Sequence, residues 1–205
     1  MNQLNKPKRE PLTRTWFLGH GFHPVPRTDY IKNKIIYAHE DDLRFINQYG
    51  QVLATSFSPF ERDPKNCHGH PVPRIAGRLC HVVRALAFFG ERPTYVNSKG
   101  EVKPYHCHHL NADKEDHRRA NILAWLHPDE HRIADTRQKE LQTVVPDGDL
   151  HLFTYERLRE LQDPRTMSDE QFAAELEALR KDRFRRDPRS TDDIMLAEMN
   201  RHMEC

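Results

Sequence analysis

The chain has 205 residues, 37% hydrophobic and 31% charged, with 14 prolines; this balance suits a small core with long polar connections and excludes both a large single core and a wholly disordered chain. No run of 18 apolar residues occurs, and the opening MNQLNKPKRE lacks the apolar stretch of a signal peptide, so neither a membrane nor a secreted protein is expected, and a reducing, cytoplasmic location is. The formal charge of +1 hides a division: residues 1–37 carry 7 basic against 2 acidic side chains, residues 38–136 carry 13 of each, and residues 137–205 carry 12 against 16.

Taken in chain order, residues 1–30 hold Pro7, Pro11, Pro24 and Pro26 with little periodicity, and predict an extended basic arm docked through Trp16 and Phe17. The run RFINQYGQVLATSF, residues 44–57, turns about Tyr49 and Gly50 and predicts a hairpin of two short strands. Glu61 to Arg74, with Pro64, Gly69, Pro71 and Pro73, predicts an irregular excursion. Leu79, Val82, Val83, Leu86 and Phe89 recur at helical spacing ahead of Gly90, which predicts a helix from about Arg78 to Phe89. A strand over Lys103–Leu110, a polar loop to Ala120 and a strand over Asn121–Leu126 follow. Pro128 then opens a helix with Asp129 and Glu130 in its first turn. Two further helices are expected at 154–162 and 169–185, the second opened by a Ser168/Gln171 capping box. Cys67, Cys80, Cys107 and Cys205 form no C-x-x-C pair, so neither a disulfide framework nor a four-thiolate zinc site is predicted.

Six of the 14 histidines fall within residues 106–131. His131 and Asp135 stand four residues apart on the predicted helix, hence on one face, where both can approach one cation. His108 and His109 are neighbours on a strand and point to opposite faces, so they are expected to do different work. If His108 joins His131 and Asp135 on the cation, His109 is left to take a proton from water, with a pKa near the working pH. The competing reading is a closed structural zinc site with Cys107 or His127 as fourth ligand. His106, His117 and His127 are otherwise expected to be structural.

The string YHCHHLNADKEDHRRANILAWLHPDEH, residues 105–131, resembles the HNH endonuclease motif: a His-His pair, a central asparagine and a later histidine on the following helix. RFINQYGQV and RLCHVVRALAFFG resemble the hairpin and helix found upstream of that motif in phage and intron-associated homing endonucleases. The resemblance covers about residues 44–140. It implies an α+β chain with a small ββα-metal core, an upstream hairpin and helix, a basic N-terminal arm and C-terminal helices. It further implies metal-dependent hydrolysis of double-stranded DNA by a phage or mobile-element protein acting in a bacterial cytoplasm. Carried over by residue, His109 is the general base, Asn121 the asparagine that holds the inter-strand loop so that the base is oriented, and His108, His131 and Asp135 the ligands of one divalent cation. Mg²⁺ is expected first, with Mn²⁺, Ni²⁺ or Zn²⁺ as alternatives. Lys6, Lys8, Arg9 and Arg14 in the arm, with Lys114, Arg118 and Arg119 beside the loop, are the expected phosphate contacts.

The motif is departed from in two places. The interval from Asn121 to His131 is one residue longer than the commonest pattern, which makes His127 a rival ligand, and Asp116 and His117 stand where relatives have paired asparagines. A degenerate HNH-fold protein that binds DNA without cutting it is therefore the alternative, beside the structural zinc module. The expected organisation is an arm over 1–37, an HNH-like domain over 38–140 with its core at about 103–140, and a charged helical region over 141–205 open to a protein partner or self-association.

Overall fold

The computed structural model describes residues 10–28, 31, 34–57 and 72–186. The chain divides into two units, residues 1–163 and 164–205. Among the described residues it is an α+β protein of short antiparallel sheets and five α-helices, none of them long and apolar enough to cross a membrane.

The first unit begins with a correction. Where an extended arm was expected, Arg14–Gly19 forms helix α1, capped by the Thr13 hydroxyl accepting from the Trp16 amide. Phe17 is fully buried and stacks on Tyr37 with ring centroids 3.7 Å apart. Aromatic burial outweighs the weak local pattern, since one fully buried ring contributes about 1.5–3 kcal/mol. Phe22–Pro24 (β1), Ile36–His39 (β2) and Phe45–Asn47 (β3) then form an antiparallel sheet in that order. The expected turn at Tyr49 and Gly50 is present. Asn47 Oδ1 accepts from the Tyr49 and Gln51 amides, and the returning arm pairs through the Leu53 amide to the Phe45 carbonyl. Gly50, at φ 73°, lies so close to Leu12 that a Cβ would sit 2.8 Å from its Cδ1.

Ser56–Phe57 (β4), Pro73–Ile75 (β5) and Arg78–Leu79 (β6) make a second small sheet. Most of the expected excursion over Glu61–Arg74 lies outside the described residues, but its end, Pro73 and Arg74, belongs to β5. Ala76 and Gly77, both at positive φ, form the two-residue loop between β5 and β6. Because Arg78 and Leu79 pair in β6, the next helix starts two residues later than its periodicity suggested, as α2, Cys80–Phe89. One side of α2 packs on Val25, Ile31, Ile36, Ala38, Phe45 and Ile75, and Ala85 packs on Ile122 and Ala124. Arg84 is fully buried with its guanidinium over the Phe45 ring, and it donates to His117 Nδ1 and to the His39 carbonyl.

The strand expected over Lys103–Leu110 is two strands. Val102–Pro104 (β8) pairs with Thr94–Val96 (β7), whereas His106–His109 (β9) pairs with Ile122–Leu126 (β10). Pro104 has no amide to donate, and the chain changes partner at Tyr105. In the β9–β10 ladder His109 faces Ile122 and His108 faces Leu123, and Trp125, at φ 58°, forms a bulge before Leu126 meets His106. That extra residue puts Leu126 on the same side as Leu123, against Ala134, while Ile122 and Ala124 face α2. Helix α3, Pro128–Val144, starts as expected, with Pro128 in its first turn. Thr154 caps α4, Tyr155–Gln162, which closes the core through Leu158. The second unit contains α5, Asp169–Arg186, opened by the expected pair: Ser168 Oγ accepts from the Gln171 amide and Gln171 Oε1 from the Ser168 amide.

Candidate metal centre

Strand alternation sends His108 toward α3 and α4 and His109 toward α2. Helix α3 carries His131 and Asp135 one turn apart on the face that meets His108. His108 Nδ1 lies 3.0 Å from one Asp135 oxygen, His131 Nδ1 lies 3.4 Å from the other, and ligand atoms of all three residues fall within 4.8 Å of one another. Donors sharing one divalent cation at about 2.1 Å stand roughly 3–4 Å apart, so this set fits a cation with little side-chain movement. Two imidazoles and a carboxylate also suit the intermediate ions of the first transition row as well as Mg²⁺.

The ring orientations are fixed by neighbours. Gln162 Oε1, buried at the end of α4, lies 2.9 Å from His108 Nε2: with the ring proton on Nε2 the imidazole donates to Gln162 and turns its Nδ1 lone pair to the cation side, whereas with the proton on Nδ1 it donates to Asp135. Gln162 in turn donates from Nε2 to the Leu110 carbonyl at 2.8 Å, and Gln138 donates to the carbonyls of His109 and Leu110. The His131 ring hydrogen-bonds the Cys107 backbone. Burial pushes the His131 imidazole below its ordinary value, against the pull of Asp135. Although burial alone would raise the Asp135 carboxyl, the His108 hydrogen bond and the two imidazoles hold it below the ordinary carboxylate value. A neutral His131 and an ionised Asp135 are the forms that bind metal. Replacing Gln162 by leucine is therefore expected to weaken Mn²⁺ binding about 10–100-fold by calorimetric titration, while the three ligands remain. Equal affinity would remove Gln162 from that role.

His109 lines the same cavity of about 440 Å³ as His108, His131, Asp135, Gln138 and Lys139. Among the described residues its Nε2 is buried without a hydrogen-bond partner, and its ring meets the His81 ring edge to face at 4.8 Å. Burial, helped by the charge of His108, pushes its imidazole down to about 4. This differs from the near-neutral value expected from sequence, and the reason is the desolvation that strand pairing and α2 impose. The ring is neutral, and thus in its basic form, throughout the physiological range.

Asn121 is fully buried and closes the loop behind His109. Its Oδ1 accepts from the Asn111 amide at 2.9 Å, and its Nδ2 donates to Asn111 Oδ1 at 2.7 Å and to the Asp116 carbonyl at 2.6 Å. It positions the loop and does not line the cavity. Asp116, in the place of an expected asparagine, accepts from Asn111, from two Arg118 nitrogens and from the Tyr155 hydroxyl. Burial works against its charge, but the Arg118 and Tyr155 hydrogen bonds win and hold the carboxyl at about 2. The Arg118 guanidinium is thereby paired with Asp116, with its side chain still 41% exposed. Lys114 lines the cavity, and Arg119 and Arg14 are exposed. Lys6, Lys8 and Arg9 lie outside the described residues.

The rival ligands are placed elsewhere. His127 caps α3, with Nδ1 accepting from the Asp129 amide and Glu130 accepting from the His127 amide. Cys107 packs toward α2 with Ile122 and Ala124, and burial pushes its thiol up to about 12. Neither joins His108, His131 and Asp135, so the fourth ligand of the closed zinc alternative is not supplied from these positions. His117 is buried between Arg84 and Phe45, in the structural role expected of it. Sequence reading missed Gln138, Gln162, Asn111 and His81. Gln138 was findable, because 131, 135 and 138 share one helical face; the others act across chain separations that carry no local signal. No family model, curated protein or solved structure matches the chain.

Proposed function

We propose that the protein is a divalent-metal-dependent DNA endonuclease of the HNH type, with β9, β10 and α3 as its ββα core. One observation carries this reading: His108, His131 and Asp135 converge at one end of a cavity whose wall includes His109, and Asn121 ties down the loop that leaves His109. The residues that the HNH motif would use as ligands and base thus line one cavity, and the asparagine holds the loop behind them, which supports this reading.

In the reaction, a water oxygen forms a bond to phosphorus as the bond to the 3′ oxygen breaks. His109 takes the proton of that water, and the leaving oxygen takes one from solvent. His108, His131 and Asp135 would hold the cation, Mg²⁺ or one of Mn²⁺, Ni²⁺ and Zn²⁺. When bound, it supplies positive charge that stabilises the negative charge on the phosphate and leaving oxygen. A general base contributes about 10²–10⁴ in rate. Phosphodiester hydrolysis needs far more, so most of the acceleration rests on charge stabilisation and positioning by the ligand side. Lys114 in the cavity and exposed Arg14 and Arg119 offer phosphate contacts, which orient a duplex without reading its sequence.

The test is conversion of supercoiled plasmid to nicked circles by the full chain with each of the four cations and with excess chelator. Nicking is expected with cation and not with chelator. Retention of DNA without nicking under all four would replace the nuclease reading by a DNA-binding one, and neither retention nor nicking would overturn both.

A further inference from the structure

His81, the second residue of α2, has no part in the ligand set or in the general-base assignment. Its ring lines the same cavity as His109 and Lys114. Its Nδ1 has no hydrogen-bond partner among the described residues and almost no contact with solvent, and the His109 ring next to it also has a buried, unpartnered nitrogen. Two idle imidazole nitrogens in one wall cost free energy unless a visiting group uses them. Burial first, with the charges of Arg92 and Lys114 adding to it, keeps the His81 imidazole well below its ordinary value. Lys114 and Lys139 line the same cavity, and Asp135, its carboxylate, is already engaged by two histidines. An electropositive pocket lined by a neutral donor suits an anion.

Resting on the nuclease reading, we infer that His81 is a substrate-contacting residue, donating a hydrogen bond to a non-bridging oxygen of the phosphodiester while His109 handles the proton of water. The phosphodiester then lies in the one cavity, between His81 of α2 and the His108, His131 and Asp135 side that would hold the cation.

The test compares His81→Leu, which loses the donor, with His81→Gln, which keeps one. Inorganic phosphate is titrated into the full chain in chelator and followed by ³¹P line broadening, and plasmid nicking is measured in parallel. Phosphate affinity is expected to fall at least about 10-fold in His81→Leu and to stay within about 3-fold in His81→Gln, and nicking efficiency should follow the same order. No broadening with the wild-type chain, equal broadening with His81→Leu, or equal loss in both variants overturns the His81 assignment. A wild-type chain that binds phosphate through His81 but nicks nothing overturns the nuclease reading alone.

Discussion

His109→Ala is expected to lower metal-dependent nicking by about 10²–10⁴-fold while leaving cation affinity unchanged. The two readouts separate because the strand does. His109 faces α2, whereas the ligand atoms lie on the α3 side, where Gln162 fixes His108. Truncation also removes a buried nitrogen that has no partner, which offsets part of the lost packing, so the stability change should be on the order of 1 kcal/mol and the variant should fold. His131→Ala is the contrasting control, since it should lose both cation and nicking. Rate measurements at saturating Mn²⁺ with calorimetric titration of the same samples decide the matter. Undiminished nicking by His109→Ala would reject His109 as the base, and loss of cation binding would move it into the ligand set.

Asn121→Ala is expected to destabilise the first unit by about 3–4 kcal/mol, the largest stability effect of any single polar truncation near the centre. The side chain makes three hydrogen bonds from a fully buried position: to the Asn111 amide, the Asn111 carboxamide oxygen and the Asp116 carbonyl. Alanine takes the side-chain partner from the Asn111 amide and the Asp116 carbonyl and leaves Asn111 Oδ1 with the Asp113 amide alone, and each buried group so deprived costs about 1–3 kcal/mol. For a unit of this size the loss corresponds to a melting point lower by roughly 10 °C. Scanning calorimetry checks the value, and hydrogen exchange should localise the loosening to the loop after β9. A drop below about 2 °C would show that this loop is held by the Asp116, Arg118 and Tyr155 contacts instead.

Much of the architecture could be read from local pattern. The start of α3 was written in Pro128, Asp129 and Glu130, and α5 in Ser168 and Gln171. His131 and Asp135 were recognisable as a pair because four residues is one helical turn. Elements governed by tertiary partners were not readable. Arg14–Gly19 became a helix because Phe17 found Tyr37, and Lys103–Leu110 split because its two halves pair with different strands. The same holds within the site. Gln162 lies 54 residues from the ring it orients, and His81 lies 28 residues before the ring it meets, so no spacing rule connects either pair. On the HNH reading, the Trp125 bulge takes up the extra residue of the Asn121–His131 interval, and His127 serves as the cap of α3.

That bulge has a further consequence for how the chain can diversify. Adjacent residues of β9 answer to different helices, so a one-position slide of the ladder would exchange the tasks of His108 and His109 and spoil both together. Trp125, by absorbing one residue in β10, keys the strand to a single alignment. Lengthening or shortening is therefore tolerable outside the ladder, in the connection between β7 and β8 for example, whereas a single inserted residue between Tyr105 and His109 would be ruinous whatever its chemistry.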